Sequence, residues 1–196
     1  MPETAPVVAD FDRAQRASLT LVQGVKPEQW SSATPCTEWD VRALVNHIVG
    51  GDRMFAAIGR GEFSTIEEAR AWRVEQGDFL GDDPAAAFNA AADDLRSTFS
   101  DSAVLEQTFP SPAGARPGAF LIGLRMNEHL VHGWDLARAT AQDMGVLPGD
   151  LAERSLGAFR ARFTDTNRSY GFGPEQPAPA DAPAIDRLAA FLGRPL

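Results

Sequence analysis

Hydrophobic residues recur at helical spacing along most of the chain. In residues 5–25, five apolar side chains follow this spacing, and the pattern stops near Gly24 and Pro27. Such a pattern places the apolar side chains on one face and is typical of an amphipathic helix. By the same criterion the sequence predicts further helices at about 38–58, 65–77, 84–99, 119–142, 149–163 and 184–192.

Capping signals support several of these helix starts. Thr37, with an acid three residues later, resembles a helix N-cap, and Thr65 to Glu68 form a capping box of the S/T-x-x-E type. Asp83 followed by Pro84 predicts an N-cap and a proline at the first helical position. Gly50 and Gly51 fall inside the second predicted helix, where they predict a close backbone approach or a kink.

The pattern favours an all-α fold. We find no convincing alternating strand pattern and no internal repeat, and the simplest architecture is a helical bundle with additional short helices. We predict a bundle over residues 1–170, followed at 171–196 by a Pro-rich crossing and a short helix that pack as part of the same domain.

Composition narrows the classes of function. The chain of 196 residues is 44% hydrophobic and carries 18 basic against 27 acidic residues, a formal net charge of −9. No clustered basic stripe is present, which argues against nucleic acid or an anionic membrane as partner. We therefore expect a small-molecule or protein partner.

Cysteine usage and the termini indicate the compartment. Cys36 is the sole cysteine, so an intramolecular disulfide is impossible. The first residues resemble no signal peptide, and no apolar run approaches the roughly 18 residues of a membrane span. We expect a cytoplasmic protein.

Three side chains could form a metal site. Glu128 and His132 are four residues apart and project from one face of a helix, on a stripe that begins with Leu121 and Leu124. His47, in another helix, could supply a third ligand, and two imidazoles with one carboxylate suit a divalent cation. The alternative is a partly solvated, hydrogen-bonded Glu–His pair.

Neighbouring residues leave alternatives open. Asp135 could orient the His132 imidazole or pair with Arg138 at the helix surface. His129 is rotated about 100° from Glu128 around the helix axis, and we keep it as a second-choice ligand. For Cys36 a small packed loop residue is favoured over a nucleophile.

Arginines and tryptophans near the candidate ligands have two interpretations each. Arg42, Arg53 and Arg125 could bind an anionic substrate group, but solvated or ion-paired surface arginines are favoured. Trp39 and Trp134 are interpreted as core or cleft wall rather than as ligand platforms.

Two segments carry a family resemblance. Residues 34–48, TPCTEWDVRALVNHI, and residues 128–140, EHLVHGWDLARAT, resemble the DinB-like metal-binding superfamily. Within it they are most similar to the branch of the mycothiol-dependent maleylpyruvate isomerase N-terminal domain. The resemblance implies a four-helix bundle with a divalent metal, zinc in preference to nickel, on His47, Glu128 and His132. It also implies a thiol cosubstrate such as mycothiol, which a bound cation would activate for transfer or isomerisation.

The resemblance leaves the reaction open. The isomerase carries a further C-terminal domain where this sequence has a Pro-rich crossing and one short helix, so we expect maleylpyruvate not to be the substrate. A thiol-dependent S-transferase or isomerase is the first hypothesis. A non-catalytic metal or small-ligand binding or sensing protein is the second, and a metal-free helical dimer is the third. A homodimer is compatible with each of them.

Overall fold

The fold is confirmed as predominantly helical. The computed structural model describes residues 4–163 and 172–196, and these form eight α-helices and a two-stranded hairpin. The helices are α1 (Pro6–Gln23), α2 (Val41–Gly59), α3 (Ile66–Gln76), α4 (Pro84–Thr98), α5 (Ser102–Glu106), α6 (Gly118–Thr140), α7 (Gly149–Arg162) and α8 (Ala184–Phe191). Short 3-10 turns lie at Pro27–Gln29 and Met144–Val146, and the strands are β1 (Thr108–Phe109) and β2 (Arg116–Pro117).

Four helices form the bundle. α1 packs on α6 and α4, and α2 packs on α4 and α6, which closes a ring of four neighbouring helices. Apolar side chains from all four helices meet inside it, and burial of this surface is the main stabilising contribution. The largest fully buried side chains include Phe11, Leu44, Ile48, Phe88, Leu95, Leu121, Leu130 and Trp134.

The caps explain where the helices begin. The capping box of Thr65 and Glu68 is present, and the Asp83 side chain accepts a hydrogen bond from the Ala86 amide at 3.0 Å. The predicted Thr37 cap is wrong. Asp40 caps α2 instead, because its backbone is extended and its carboxylate accepts the Ala43 amide at 2.8 Å.

The paired glycines of α2 permit close approach. α2 runs through both positions. A Cβ atom at Gly50 would lie 2.7 Å from the Phe79 ring, and one at Gly51 would lie 2.6 Å from the Arg125 guanidinium. The prediction of a close approach is confirmed, and what approaches is a side chain in each case.

Two short elements were not predicted. β1 and β2 pair antiparallel, with Thr108 opposite Pro117 and Phe109 opposite Arg116. Strands of two residues are too short to show alternation. α5 has five residues, fewer than two helical turns, so it carries little periodicity.

The C-terminal helix packs on the bundle. α8 contacts α7 and α6, and the Trp134 indole donates a hydrogen bond to Asp186 at 2.6 Å. The boundary predicted between residues 170 and 171 lies outside the described residues. Within the described ranges, no helix combines the length and apolar character needed to cross a membrane.

Candidate metal centre

The structure brings the three predicted ligands together. α2 presents His47, while α6 presents Glu128 and His132 one turn apart. The Oε2 atom of Glu128 lies 3.0 Å from His47 Nε2 and 3.4 Å from His132 Nε2. One potential ligand atom from each side chain falls within 4.8 Å of the others, which makes this a candidate metal-binding group.

The donor set suits a divalent cation. Tetrahedral zinc with bonds of about 2.0–2.1 Å separates its donor atoms by about 3.3 Å. The two Nε2–Oε2 distances, 3.0 and 3.4 Å, are close to that value. Two imidazole nitrogens and one carboxylate also leave a fourth position for water or substrate. The residues present therefore fit zinc or a similar ion.

Asp135 orients His132. Its Oδ2 atom lies 2.9 Å from His132 Nδ1, so the proton on that nitrogen points to the carboxylate and Nε2 faces Glu128. The alternative partner, Arg138, instead lies over the Trp134 ring at 5.5 Å. A carboxylate behind a histidine ligand fixes its tautomer and increases its basicity.

His47 has a different partner behind it. Arg73 of α3 donates hydrogen bonds to His47 Nδ1 at 2.9 Å and to the His47 carbonyl at 3.0 Å. Because a guanidinium can only donate, Nδ1 accepts and the ring proton lies on Nε2, facing Glu128. Metal binding through Nε2 requires the other tautomer, and Arg73 must then turn away from Nδ1.

The charges of the cluster follow from its contacts. Burial lowers the pKa of His47 to about 4, although Glu128 partly opposes this change. Burial disfavours the charged form of His132, but hydrogen bonds to Asp135, Cys36 and Glu128 raise its pKa well above the usual value. Burial also opposes ionisation of Glu128, but contacts with both histidines hold its pKa well below the usual value. The metal-free cluster thus contains a carboxylate, an imidazolium and a neutral imidazole.

Arg125 was interpreted as a surface arginine, and this interpretation is wrong. Its side chain is 3% exposed, and its Nε donates to Asp52 at 2.9 Å. It also donates to the Ile48 carbonyl at 3.1 Å and to Glu128 at 3.5 Å. Arg125 therefore connects the candidate ligand to the bundle core. Its position depends on Gly51, which no helical periodicity could reveal.

His129 does not join the cluster. It is fully buried, its Nε2 lies 3.0 Å from Asp52 Oδ2, and its ring packs edge-on against Phe11 and Phe88. Because His129 points away from Glu128 and the other candidate ligands, its position agrees with the prediction that it is only a second-choice ligand.

Arg42 and Arg53 lie at the surface, as the favoured interpretation predicts. Arg42 forms an exposed ion pair with Asp78 at 3.1 Å. Arg53 lies 6.0 Å over the Phe79 ring.

Cys36 packs against the core as a partly buried loop residue, and its thiol also makes polar contacts that its position in the sequence does not indicate. Its Sγ donates to Asp135 Oδ2 at 3.2 Å, accepts from Arg194 Nη2 at 3.3 Å and lies 3.9 Å from His132 Nδ1. Cys36, His132 and Asp135 form a second group with metal-compatible atoms. Arg194 already supplies positive charge there, donating to Asp135 at 3.1 Å. Cys36 and Arg194 are 158 positions apart in the sequence, so no local pattern indicates this contact.

The tryptophans have separate roles. The Trp39 ring lies 4.2 Å from the His47 ring and 5.7 Å from the His132 ring, so it forms a wall of the cluster. Trp134 is fully buried in the core.

Among the described residues, two cavities border the cluster. The first has a volume of about 590 Å³ and a mainly apolar lining that includes Phe55, Phe120 and Phe159. The second has a volume of about 550 Å³ and a lining that includes Cys36 and Arg194. His47 and Glu128 line both cavities. The candidate ligands therefore lie where two chemically different spaces meet.

Fold and site together define a four-helix bundle with a candidate metal centre between two of its helices. The chain belongs to the family described as the mycothiol maleylpyruvate isomerase N-terminal domain, whose model matches residues 11–137. The predicted relationship to this DinB-like branch is confirmed.

Relatives and solved structures agree with this assignment. The chain is 39% identical over 192 residues to the uncharacterized proteins Rv0738 and MT0763 of two Mycobacterium tuberculosis strains, covering 96% of this chain and 97% of each relative. Crystal structures of mycothiol-dependent maleylpyruvate isomerase and of a histidine-to-alanine mutant give TM-scores of 0.58 and 0.61 at 17% and 16% identity. Each match covers 79% of this chain and 69% of the isomerase chain. Likeness at this identity shows the fold alone.

Proposed function

We propose that this protein binds a divalent metal, zinc in preference to nickel, through His47, Glu128 and His132, and uses it as a thiol-dependent S-transferase or isomerase. The observation that carries the proposal is the convergence of both Nε2 atoms on one carboxylate oxygen, at 3.0 and 3.4 Å. The name of the family to which the chain belongs supports the choice of a thiol as cosubstrate.

The bound metal would lower the pKa of a coordinated thiol so that thiolate forms at neutral pH. The chain's own residues hold the site in shape. Asp135 fixes the tautomer of His132, and Arg125 anchors Glu128 from the core. Trp39 shields one side of His47 from water.

The second cavity suits the thiol. Its lining combines Cys36, Thr37, Glu38 and Arg194 with the candidate ligands His47 and His132. Such polar walls match a thiol carried on a polyhydroxylated group, as mycothiol is. In a transfer reaction the sulfur forms a bond to carbon while the bond from that carbon to the leaving group breaks, and the leaving group or solvent takes up the thiol proton. In an isomerisation the thiol adds to a double bond and is released unchanged.

One observation favours the second candidate function, a non-catalytic metal or small-ligand sensor. Arg73 holds His47 in the tautomer that does not bind metal through Nε2. Occupancy of the site would therefore displace Arg73, and displacement of a side chain by a ligand is the basis of a sensor.

Metal analysis and turnover separate these functions. Untagged protein purified without added metal should contain about one zinc per chain, while Glu128→Gln should contain little. Glu106→Gln, which changes an exposed glutamate of α5, is the matched control and should keep its metal. Near-zero metal in all three proteins would overturn the site. The loaded protein is then tested for metal-dependent consumption of mycothiol with a panel of electrophiles, and a loaded protein without turnover would favour the sensor.

A further inference from the structure

We propose that the first cavity binds an organic carboxylate with a large apolar body, and that this molecule is the electrophile that meets the thiol. Its role as a substrate rests on the proposed function, whereas the binding itself does not. The inference concerns the space of about 590 Å³ beside His47 and Glu128.

The walls of this cavity select an apolar body. α2 contributes Met54 and Phe55, α6 contributes Phe120 and Leu124, and α7 contributes Phe159. Cavities of about 300–1,000 Å³ with such linings enclose most of a drug-sized ligand. A small dianion without an apolar body would leave these surfaces unfilled.

The charged groups at the same cavity select an anion. Arg70 and Arg73 of α3 and Arg162 of α7 line it, and Arg162 lies 5.3 Å over the Phe120 ring. Among the described lining residues the sole acid is Glu128, and its charge is already met by Arg125 and His132. The described lining therefore carries more arginines than acids, although the whole chain has a net charge of −9. Arginine binds carboxylates through paired donors, so an acid group would lie near these side chains.

The position of the cavity gives the bound molecule a chemical role. His47 and Glu128 line this first cavity and also line the second cavity, which is proposed to hold the thiol. A molecule that fills the apolar space is therefore held next to the atoms that would hold the metal. Holding two reactants next to each other in a fixed orientation accounts for much of the increase in the rate of their reaction.

Calorimetric titration of the full-length protein, with and without zinc, tests the inference using decanoate, decanol and succinate. We expect decanoate to bind at least tenfold more tightly than succinate. Ala158→Trp, on the part of α7 that lines the cavity, should weaken decanoate at least tenfold. Ala161→Trp, an exposed position of α7 outside the lining, is the matched control and should bind as the wild type does. Arg70→Gln should weaken decanoate and leave decanol unchanged.

Two results would overturn the inference: succinate binding as tightly as decanoate, or equal decanoate binding by Ala158→Trp and Ala161→Trp. Circular dichroism establishes that each variant is folded. If Ala158→Trp fails to fold, Ala113→Trp narrows the same cavity from a loop. Decanoate binding that is lost in Ala158→Trp, together with absent thiol turnover, would uphold the binding site and reject the proposed reaction alone.

Discussion

Two neighbouring clusters between α2 and α6 contain similar residue types in different surroundings. The first combines His47, Glu128 and His132 and opens on two cavities. The second combines Asp52 and His129 with Arg125, and its side chains are at most 3% exposed. In the buried cluster arginine supplies the positive charge, so no metal is needed to balance the carboxylate. Of the two clusters, the open one therefore has space beside it for a cation and a small molecule.

The largest effect should come from breaking the buried cluster. Asp52→Ala removes the buried carboxylate that pairs with Arg125 and His129, and leaves Arg125 with the longer, 3.5 Å contact to Glu128 as its remaining ion pair among the described residues. We expect the free energy of unfolding to fall by about 3–5 kcal/mol. Urea denaturation measures this loss. Asp93→Ala, which removes an exposed partner of Arg96, should change stability by less than about 1 kcal/mol. Equal losses in the two variants would show that the buried cluster has no special structural role.

The open cluster should respond to pH in the metal-free protein. His47 has a folded pKa of about 4, below its ordinary value of 6.5. Between pH 6.5 and about 4, His47 is protonated in the unfolded chain but neutral in the folded chain. The free energy of unfolding therefore falls progressively as pH falls through this range. The full cost is up to about 3 kcal/mol.

Unfolding free energies of the wild type and His47→Gln, measured across this pH range with a chelator present, test the expectation. The wild type should lose more stability than the variant as pH falls. Parallel curves would contradict a depressed pKa at His47.

A smaller effect, on zinc affinity, is expected from a change at Asp135, the hydrogen-bond partner of His132. Asp135→Asn keeps the size of the side chain but removes its charge, and zinc affinity should fall by about 10–100-fold. Competition with a fluorescent chelator gives the affinity. Asp143→Asn, at a turn after α6, is the control and should keep wild-type affinity. Unchanged affinity in Asp135→Asn would mean that the carboxylate does not support a ligand.

The smallest expected effect has the opposite sign. Arg73→Met removes a positive charge and the donor that holds His47 Nδ1, so zinc affinity should rise by about 3–10-fold, or about 0.7–1.4 kcal/mol. The same chelator competition measures it, with Arg42→Met as the surface control. A weaker zinc affinity in Arg73→Met would show that Arg73 supports the metal-binding form of the site.

The sequence predicts the open cluster more completely than the buried one. Glu128 and His132 share a helix face, His47 is the histidine of another predicted helix, and the family resemblance implies the same three ligands. The buried contact between Asp52 and Arg125 joins residues 73 positions apart and depends on the missing side chain of Gly51, so spacing could not reveal it. Arg73 and Arg194 were missed because α3 and the C-terminal segment meet the cluster only in the folded chain. Helix positions were predictable from periodicity and caps, whereas α5 and the hairpin were too short to show either.

Metal binding by His47, Glu128 and His132 is tested most directly by a crystal of zinc-loaded protein measured at the zinc absorption edge. We expect one anomalous peak about 2.0–2.2 Å from His47 Nε2, His132 Nε2 and a Glu128 oxygen. Arg73 should then be turned away from His47 Nδ1. A peak bound instead by Cys36 and Asp135, or no peak at the three side chains, would contradict it.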